Sequence, residues 1–158
     1  MPKMFEASEI LEFALRIEEN GEAFYRSMAK KLKEKKIKET FDYLADEEAK
    51  HRKIFADLLS TVETYVPPES FPGEYFLYLR SYADEHIFSK EKTGQLMAKK
   101  IKTAKEAVKF ALEIELDSIL YYLEAKNLVP ENQTAIIYKV ADEERHHYLK
   151  LLEINKGL

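Results

Sequence analysis

The chain has 158 residues, a formal net charge of −4 and 34% charged residues. This length suits one domain, residues 1–158, with a hydrophobic core of its own. The acidic balance argues against nucleic acid as a partner. Because Cys is absent, these residues cannot form disulfides, thiolate centres or iron–sulfur clusters.

The composition also bears on fold class and location. There are only 4 Gly and 5 Pro, and the strong helix formers Glu, Lys, Leu and Ala are abundant, which predicts an all-α protein. The sequence contains no apolar run of the length that a membrane span needs, and its start lacks the apolar stretch of a secretory signal. We therefore expect a cytoplasmic protein without a membrane partner.

Apolar residues at helical spacing predict four long helices, at about 8–33, 37–61, 103–126 and 130–155. Ser8 is the predicted N-cap of the first helix, Thr103 opens a capping box at the third, and Pro130 suits the first turn of the fourth. Between the second and third helices lies a connection at about 62–102 that is rich in aromatic residues. We expect two short helices in it, near 74–86 and 94–101.

The lengths of the connections predict the topology. The first two helices are joined by a few residues, as are the last two, so each pair should form an antiparallel hairpin. A helix of about 25 residues is roughly 37 Å long. An extended chain covers that distance in about 12 residues. The middle connection is long enough to cross the bundle, which predicts a ferritin-like four-helix bundle with two hairpins joined by a long crossover.

One motif occurs twice in the chain. The pattern Asp-Glu-Glu-x-x-His ends at His51 and, 96 residues later, again at His147. Residues three apart on a helix lie on the same side. The pairs Glu48 with His51 and Glu144 with His147 can therefore each chelate one metal ion.

Each half of the chain also carries a Glu on its first helix that could complete a metal site. Glu18 precedes Tyr25 by seven residues, and Glu115 precedes Tyr122 by the same spacing. With these two residues the set holds four carboxylates, which are costly to bury without compensating charge. Two divalent cations would cancel that charge, and the ligand types suit iron or manganese, with zinc as an alternative.

Four further residues are candidates for hydrogen bonds to the ligands. Tyr25 and Tyr122 could each donate to a ligand carboxylate of another helix, although both would equally suit ordinary core positions. Asp46 and Asp142 could accept a hydrogen bond from the outer nitrogen of a ligand His, or could lie on the surface. The other polar residues of the two motifs are expected on a solvated face, and these are Glu47, Lys50, Glu143, Arg145 and His146.

Taken together, these residues resemble the rubrerythrin family of the ferritin-like superfamily, over 8–155. The resemblance implies a non-haem diiron site that peroxide or dioxygen oxidises, with the ligands Glu18, Glu48, His51, Glu115, Glu144 and His147. Rubrerythrins typically carry a Cys-ligated rubredoxin-like domain, which this chain lacks, so it would need an external electron-donor protein. Many also carry a further Glu one turn after the ligand on the third helix, where this chain has Ser118.

The sequence leaves three functions open. The first is a diiron oxidoreductase that reduces hydrogen peroxide or dioxygen with electrons from a separate donor. The second is an iron-binding or ferroxidase protein without peroxidase activity, and the third is a metal-free bundle used for protein interaction. A homodimer is expected by analogy, because the aromatic crossover offers apolar surface.

Overall fold

The computed structural model of the chain describes residues 7–62, 73–82 and 93–158. Within these ranges there is no β-strand, and none of the helices has both the length and the apolar composition that a membrane span requires. The helices are α1 (Ala7–Lys31), α2 (Lys35–Thr61), α3 (Gly73–Tyr82), α4 (Gly94–Lys100), α5 (Ala104–Ala125) and α6 (Glu131–Asn155). The predicted all-α fold with four long helices is confirmed.

Contacts between the helices give their directions. Arg26 of α1 donates a hydrogen bond to Asp46 of α2, and Arg52 of α2 donates one to Glu22 of α1. Because the residue earlier in α1 contacts the residue later in α2, these helices run antiparallel. Tyr121, near the end of α5, donates to the carbonyl of Ile10, near the start of α1, at 3.0 Å. The helices α1 and α5, from different hairpins, are therefore antiparallel as well.

Two apolar clusters fill the bundle, one toward each end. The first surrounds the start of α1 and includes Ile10, Phe55 and Tyr122. The second surrounds the end of α1 and includes Phe24 and Phe41. Leu79 of the crossover helix α3 joins the first cluster and Ala98 of α4 joins the second. The middle of the bundle therefore lies between two apolar clusters that exclude water.

The ends of the four long helices differ from the predicted ones by at most two residues. The Thr103 hydroxyl caps α5 by accepting from the backbone N–H of Glu106 at 3.2 Å, as predicted. The N-cap prediction for Ser8 is wrong, because α1 already includes Ala7. Pro130 stands just before α6 rather than in its first turn. The predicted helical positions 83–86 lie outside the described residues.

Lys31, in the last turn of α1, anchors the crossover helix α4. Its Nζ donates to the carbonyls of Ala98 at 2.9 Å and Ile101 at 2.5 Å, at the end of α4 where carbonyls lack helical partners. Because Lys31 is exposed, we expect Lys31→Met to lower the free energy of unfolding by only about 1 kcal/mol. Urea unfolding measures this loss. The matched control is Lys30→Met, and an equal loss in both variants would contradict the anchoring role.

Candidate metal centre

The six predicted ligands meet in the middle of the bundle, between the two apolar clusters. Four helices supply them, and none is more than 4% exposed. Helix α1 carries Glu18, α2 carries Glu48 and His51, α5 carries Glu115, and α6 carries Glu144 and His147. The i,i+3 spacing places both pairs on the inner faces of α2 and α6, as the motif predicted.

The ligand atoms form two overlapping groups, and the atoms within each group lie within 4.8 Å of one another. One group consists of Glu18, Glu48, His51 and Glu144, and the other of Glu48, Glu115, Glu144 and His147. Glu48 and Glu144 belong to both groups, so each is placed to bridge two cations. Each predicted pair, Glu48 with His51 and Glu144 with His147, falls within one group, and each Glu also belongs to the other group.

Glu144 lies between the two imidazoles. Its Oε1 is 3.0 Å from Nδ1 of His51, and its Oε2 is 3.2 Å from Nδ1 of His147. The two rings are stacked, with centroids 5.6 Å apart. Both Nδ1 atoms therefore face the carboxylates, and both Nε2 atoms point away from them.

Each outward Nε2 atom faces a glutamate that the sequence predicts on the solvated face, but only Nε2 of His51 lies within hydrogen-bond distance of its glutamate. Nε2 of His51 lies 2.6 Å from Oε2 of Glu143, and Nε2 of His147 lies 4.0 Å from Oε2 of Glu47. Each His therefore faces the acidic residue that precedes the ligand Glu of the opposite helix. The signal for this role was in the sequence, because Glu47 and Glu143 are themselves repeated within the motif.

The role proposed for Asp46 and Asp142 is wrong. Asp46 accepts a hydrogen bond from Arg26 at 2.7 Å, and Asp142 lies 3.5 Å from Arg145. Both aspartates are more than half exposed. The reason is helical geometry, since one residue along a helix is a rotation of about 100°. Glu47 and Glu143, which follow the aspartates in the motif, face the opposite helix, whereas the aspartates face solvent.

The hydrogen bonds predicted for the two tyrosines are present. The Tyr25 hydroxyl of α1 donates to Oε1 of Glu115 at 2.5 Å, and the Tyr122 hydroxyl of α5 donates to Oε1 of Glu18. Both tyrosines are fully buried. Burial raises the pKa of each hydroxyl, and the adjacent carboxylate raises it further, so both stay protonated and act as donors.

Three of the four carboxyl groups favour the protonated form. Burial, followed by the charge of Glu144, raises the pKa of Glu18, Glu48 and Glu115 well above the ordinary value. Each also has an oxygen without a hydrogen-bond partner among the described residues, namely Oε2 of Glu18, Oε1 of Glu48 and Oε2 of Glu115. Buried, unpartnered oxygens that converge on one point are what a set of metal ligands requires.

Glu144 behaves in the opposite way. Burial opposes its ionisation, but its interactions with the neighbouring Glu115, His147 and His51 outweigh burial and hold its pKa well below the ordinary value. For the imidazoles, burial acts against the charge, yet the bond to Glu144 raises the pKa of His51 to about 9. The nearby carboxyl groups of Glu115, Glu144 and Glu48 raise the pKa of His147 further. Without metal, the centre holds one carboxylate between two protonated histidines.

The residues present fit two divalent cations. The two groups supply hard oxygen and imidazole donors, which iron and manganese accept and which zinc accepts as well. Two cations would satisfy the unpartnered oxygens and replace the protons that the cluster otherwise needs. The structure therefore supports a site for two divalent cations.

Gly21 gives Glu48 the room to reach the centre. A Cβ at this position would lie 3.2 Å from Oε2 of Glu48, a tighter distance than most real contacts. In a helix interior, Ala is more stable than Gly by about 1 kcal/mol. We expect Gly21→Ala to raise the free energy of unfolding of the metal-free protein by up to this amount. It should weaken metal binding, because the bridging carboxylate is displaced.

Titration with Mn²⁺ and urea unfolding of the metal-free form measure the two effects of Gly21→Ala separately. Unchanged Mn²⁺ affinity in the variant would contradict the role of Gly21. A loss of stability in both the metal-free and the Mn²⁺-bound protein would show instead that the added methyl group clashes with the fold.

One aromatic neighbour of the centre, Tyr43, does not follow from the sequence. The ring of Tyr43 meets the ring of His147 edge-on, with centroids 6.3 Å apart, and Nζ of Lys150 lies 4.2 Å from the Tyr43 centroid. Tyr43 is 43% exposed, whereas His147 is 3% exposed. No repeated pattern marks this residue, since residue 139, its counterpart in the second half, is Lys.

Comparisons with known proteins agree with this geometry. Residues 9–155 match the family described as Rubrerythrin, whereas no curated protein matches the chain. A solved structure from Thermotoga maritima, described as a ferritin-like diiron-carboxylate protein, is 31% identical, with a TM-score of 0.65 over 97% of this chain and 96% of that one. A hypothetical protein from Pyrococcus furiosus is 26% identical, with a TM-score of 0.68 over 96% and 89%. The ferritin-like fold is confirmed, and the chain belongs to the rubrerythrin family.

Proposed function

We propose that the protein is a non-haem diiron oxidoreductase that reduces hydrogen peroxide or dioxygen. The observation that carries this proposal is the pair of overlapping four-ligand groups, which share Glu48 and Glu144. Shared carboxylates would keep two irons close enough to act on one small oxidant. The similarity to a protein described as ferritin-like and diiron-carboxylate supports iron as the metal.

The ligands would divide into two terminal sets and one shared set. Glu18 and His51 would hold one ion, and Glu115 and His147 the other, with Glu48 and Glu144 between them. Two ferrous ions bound here would supply the two electrons that convert hydrogen peroxide and two protons into two water molecules.

The surrounding residues would keep the ligands in place and limit the access of water. The hydroxyls of Tyr25 and Tyr122 hold one oxygen each of Glu115 and Glu18, which leaves the other oxygen directed to the centre. The ring of Phe55 stacks on that of Tyr122 at 5.2 Å, so the tyrosine is held in turn by the apolar cluster. Ligands fixed in this way need little reorganisation when their charge state changes.

The electrons for further turnovers would come from outside these residues. The 158 residues contain no Cys and therefore no thiolate-ligated iron centre. We assign the supply to a separate donor protein. A single oxidation of the ferrous pair needs no donor.

The test is rapid mixing of the anaerobic, Fe²⁺-loaded protein with hydrogen peroxide, followed by absorbance. We expect oxidation of two irons per chain within seconds. The control is Glu144→Gln with the same amount of added iron, which should react no faster than free Fe²⁺. A ferrous pair that peroxide leaves untouched would overturn the peroxidase proposal, and the same experiment with dioxygen tests the oxidase alternative.

Iron uptake separates this proposal from iron handling. The structure offers ligand groups for two ions per chain, so uptake should stop at two irons. Continued uptake with formation of a mineral would favour storage. A protein that binds no metal would favour the interaction bundle, against which the unpartnered buried carboxylate oxygens argue.

We also propose that the protein forms a homodimer through the outer face of α3 and α5. Leu77 and Tyr78 of α3 and Leu116 and Leu120 of α5 are each more than 40% exposed. Apolar surface of this kind favours association. Sedimentation equilibrium should give twice the mass of the chain, and a Leu120→Lys variant should shift the mass toward the monomer.

A further inference from the structure

The two halves of the metal centre match in their six ligands but differ in the layer outside them. On one side, Oε2 of Glu143 contacts Nε2 of His51 at 2.6 Å. On the other side, Oε2 of Glu47 is 4.0 Å from Nε2 of His147, beyond hydrogen-bond distance. Glu47 and Glu143 occupy the same place in the repeated motif, so this difference has a cause elsewhere.

The cause is Lys50. Its Nζ donates to Oε1 of Glu47 at 2.6 Å, so the carboxylate is engaged with a neighbour on its own helix. The residue at the corresponding place in the second motif is His146, which is exposed. Within the described part of the chain, Glu143 makes no ion pair with Lys or Arg. The sequence itself differs at this place, because the first motif ends in Ala-Lys-His and the second ends in Arg-His-His.

The hydrogen bond to the outer nitrogen affects how a His binds a metal. A carboxylate that accepts from Nε2–H fixes the tautomer in which Nδ1 is free to bind, orients the ring and makes Nδ1 a stronger donor. His51 has this support from Glu143. His147 lacks it, and Lys50 places a positive charge beside the carboxylate that could have provided it.

We propose that the two metal positions are inequivalent, and that the position beside His51 binds a divalent cation more tightly and fills first. Glu143 is the positioning residue for the tight position, and Lys50 is the residue that weakens the other. This inference rests on the proposed function, since it requires the centre to bind two ions. Loss of a partner for a ligand His typically lowers metal affinity about 10- to 100-fold, so we expect the two affinities to differ by about tenfold or more.

The probe is Co²⁺, whose visible absorption and binding heat both report site occupancy. Titration of the metal-free protein should resolve two steps of one ion each. We expect Glu143→Gln to weaken the tight step about tenfold, whereas the matched variant Glu47→Gln should change neither step by more than a few-fold. Lys50→Met should tighten the weak step, because it releases Glu47 toward His147.

A crystal grown with one equivalent of Co²⁺ gives the position directly. The anomalous peak should be stronger beside Nδ1 of His51 than beside Nδ1 of His147. Circular dichroism and thermal unfolding of the metal-free variants show whether they fold, and all three replaced side chains lie outside the apolar clusters.

The outcomes separate this inference from the proposed function. Two Co²⁺ bound with equal affinity and equal anomalous peaks would overturn the inequivalence and leave the two-metal centre intact. A stronger peak beside His147, or equal effects of Glu143→Gln and Glu47→Gln, would also overturn it. If no Co²⁺ binds between the helices, both the inference and the proposed function fail.

Discussion

Replacing Glu48 and Glu144, the two glutamates that belong to both ligand groups, by Gln is expected to have opposite effects on the stability of the metal-free protein at pH 7. Glu144 is ionised and lies between His51 and His147, so Glu144→Gln leaves two buried imidazoles without their carboxylate. Breaking a buried ion pair costs about 3 kcal/mol or more. Glu48 has a pKa raised mainly by burial, and Gln resembles its protonated form, so Glu48→Gln should raise the free energy of unfolding.

Both replacements should abolish paired metal binding, since Glu48 and Glu144 belong to both ligand groups. Urea unfolding of the two metal-free variants beside the wild type measures the stabilities, and titration with Mn²⁺ measures the binding. The two variants serve as each other's control, because they occupy equivalent places in the repeat. A stability change of the same sign in both would contradict the protonation states assigned here.

The stability of the metal-free protein is expected to fall as the pH rises from 6 to 9. The pKa of His51 is about 9 in the folded protein and about 6.5 in an unfolded chain. Its contribution is present in full below pH 6.5 and is lost by pH 9. Because a tenfold change in proton affinity corresponds to about 1.4 kcal/mol, this loss is about 3 kcal/mol.

The buried carboxyl groups change stability in the same direction. Glu18, Glu48 and Glu115 have raised pKa values in the folded protein, so the unfolded chain loses their protons first as the pH rises above about 4.5. Glu144, whose pKa is lowered, adds stability above that pH and loses it only in more acidic solution. Between pH 6 and 9 the titration of these groups therefore lowers the free energy of unfolding as the pH rises.

Metal should reverse this dependence. Cations displace protons from the same groups, so their affinity rises with pH. We expect the gain in unfolding free energy on adding Mn²⁺ to be larger at pH 8 than at pH 6, and metal binding at pH 7 to release more than one proton per chain. Urea unfolding with and without Mn²⁺ and titration in weakly buffered solution check these results. Metal-free stability that increases from pH 6 to 8 would contradict them.

The helices and the meeting of the six candidate ligands followed from the sequence because both depend on spacing along the chain. Apolar periodicity marks the buried face of a helix, and the short turns require hairpins. The i,i+3 pairs at Glu48 and Glu144 can reach only one side of their helices. A repeat that preserves all six ligand types leaves few other arrangements of the core.

The features that escaped prediction depend on how the helices are rotated against each other. The motif does not reveal whether Asp142 or Glu143 faces His51, since the two differ by one step around α6. Neither does it reveal that Glu48 and Glu144, in equivalent places, have opposite protonation preferences. That difference arises because both imidazoles hydrogen-bond Glu144, with Nδ1 of His51 at 3.0 Å and Nδ1 of His147 at 3.2 Å. Nδ1 of His147 lies 3.6 Å from Glu48.

The central claim is that two metal ions bind between α1, α2, α5 and α6 and share Glu48 and Glu144. Anomalous diffraction at the iron edge, from crystals grown anaerobically with two equivalents of Fe²⁺, tests it directly. We predict two peaks, one beside Nδ1 of His51 and one beside Nδ1 of His147, each within ligand distance of both shared carboxylates. A crystal with no iron peak between these helices, or with a single ion bound by one motif alone, would contradict the claim.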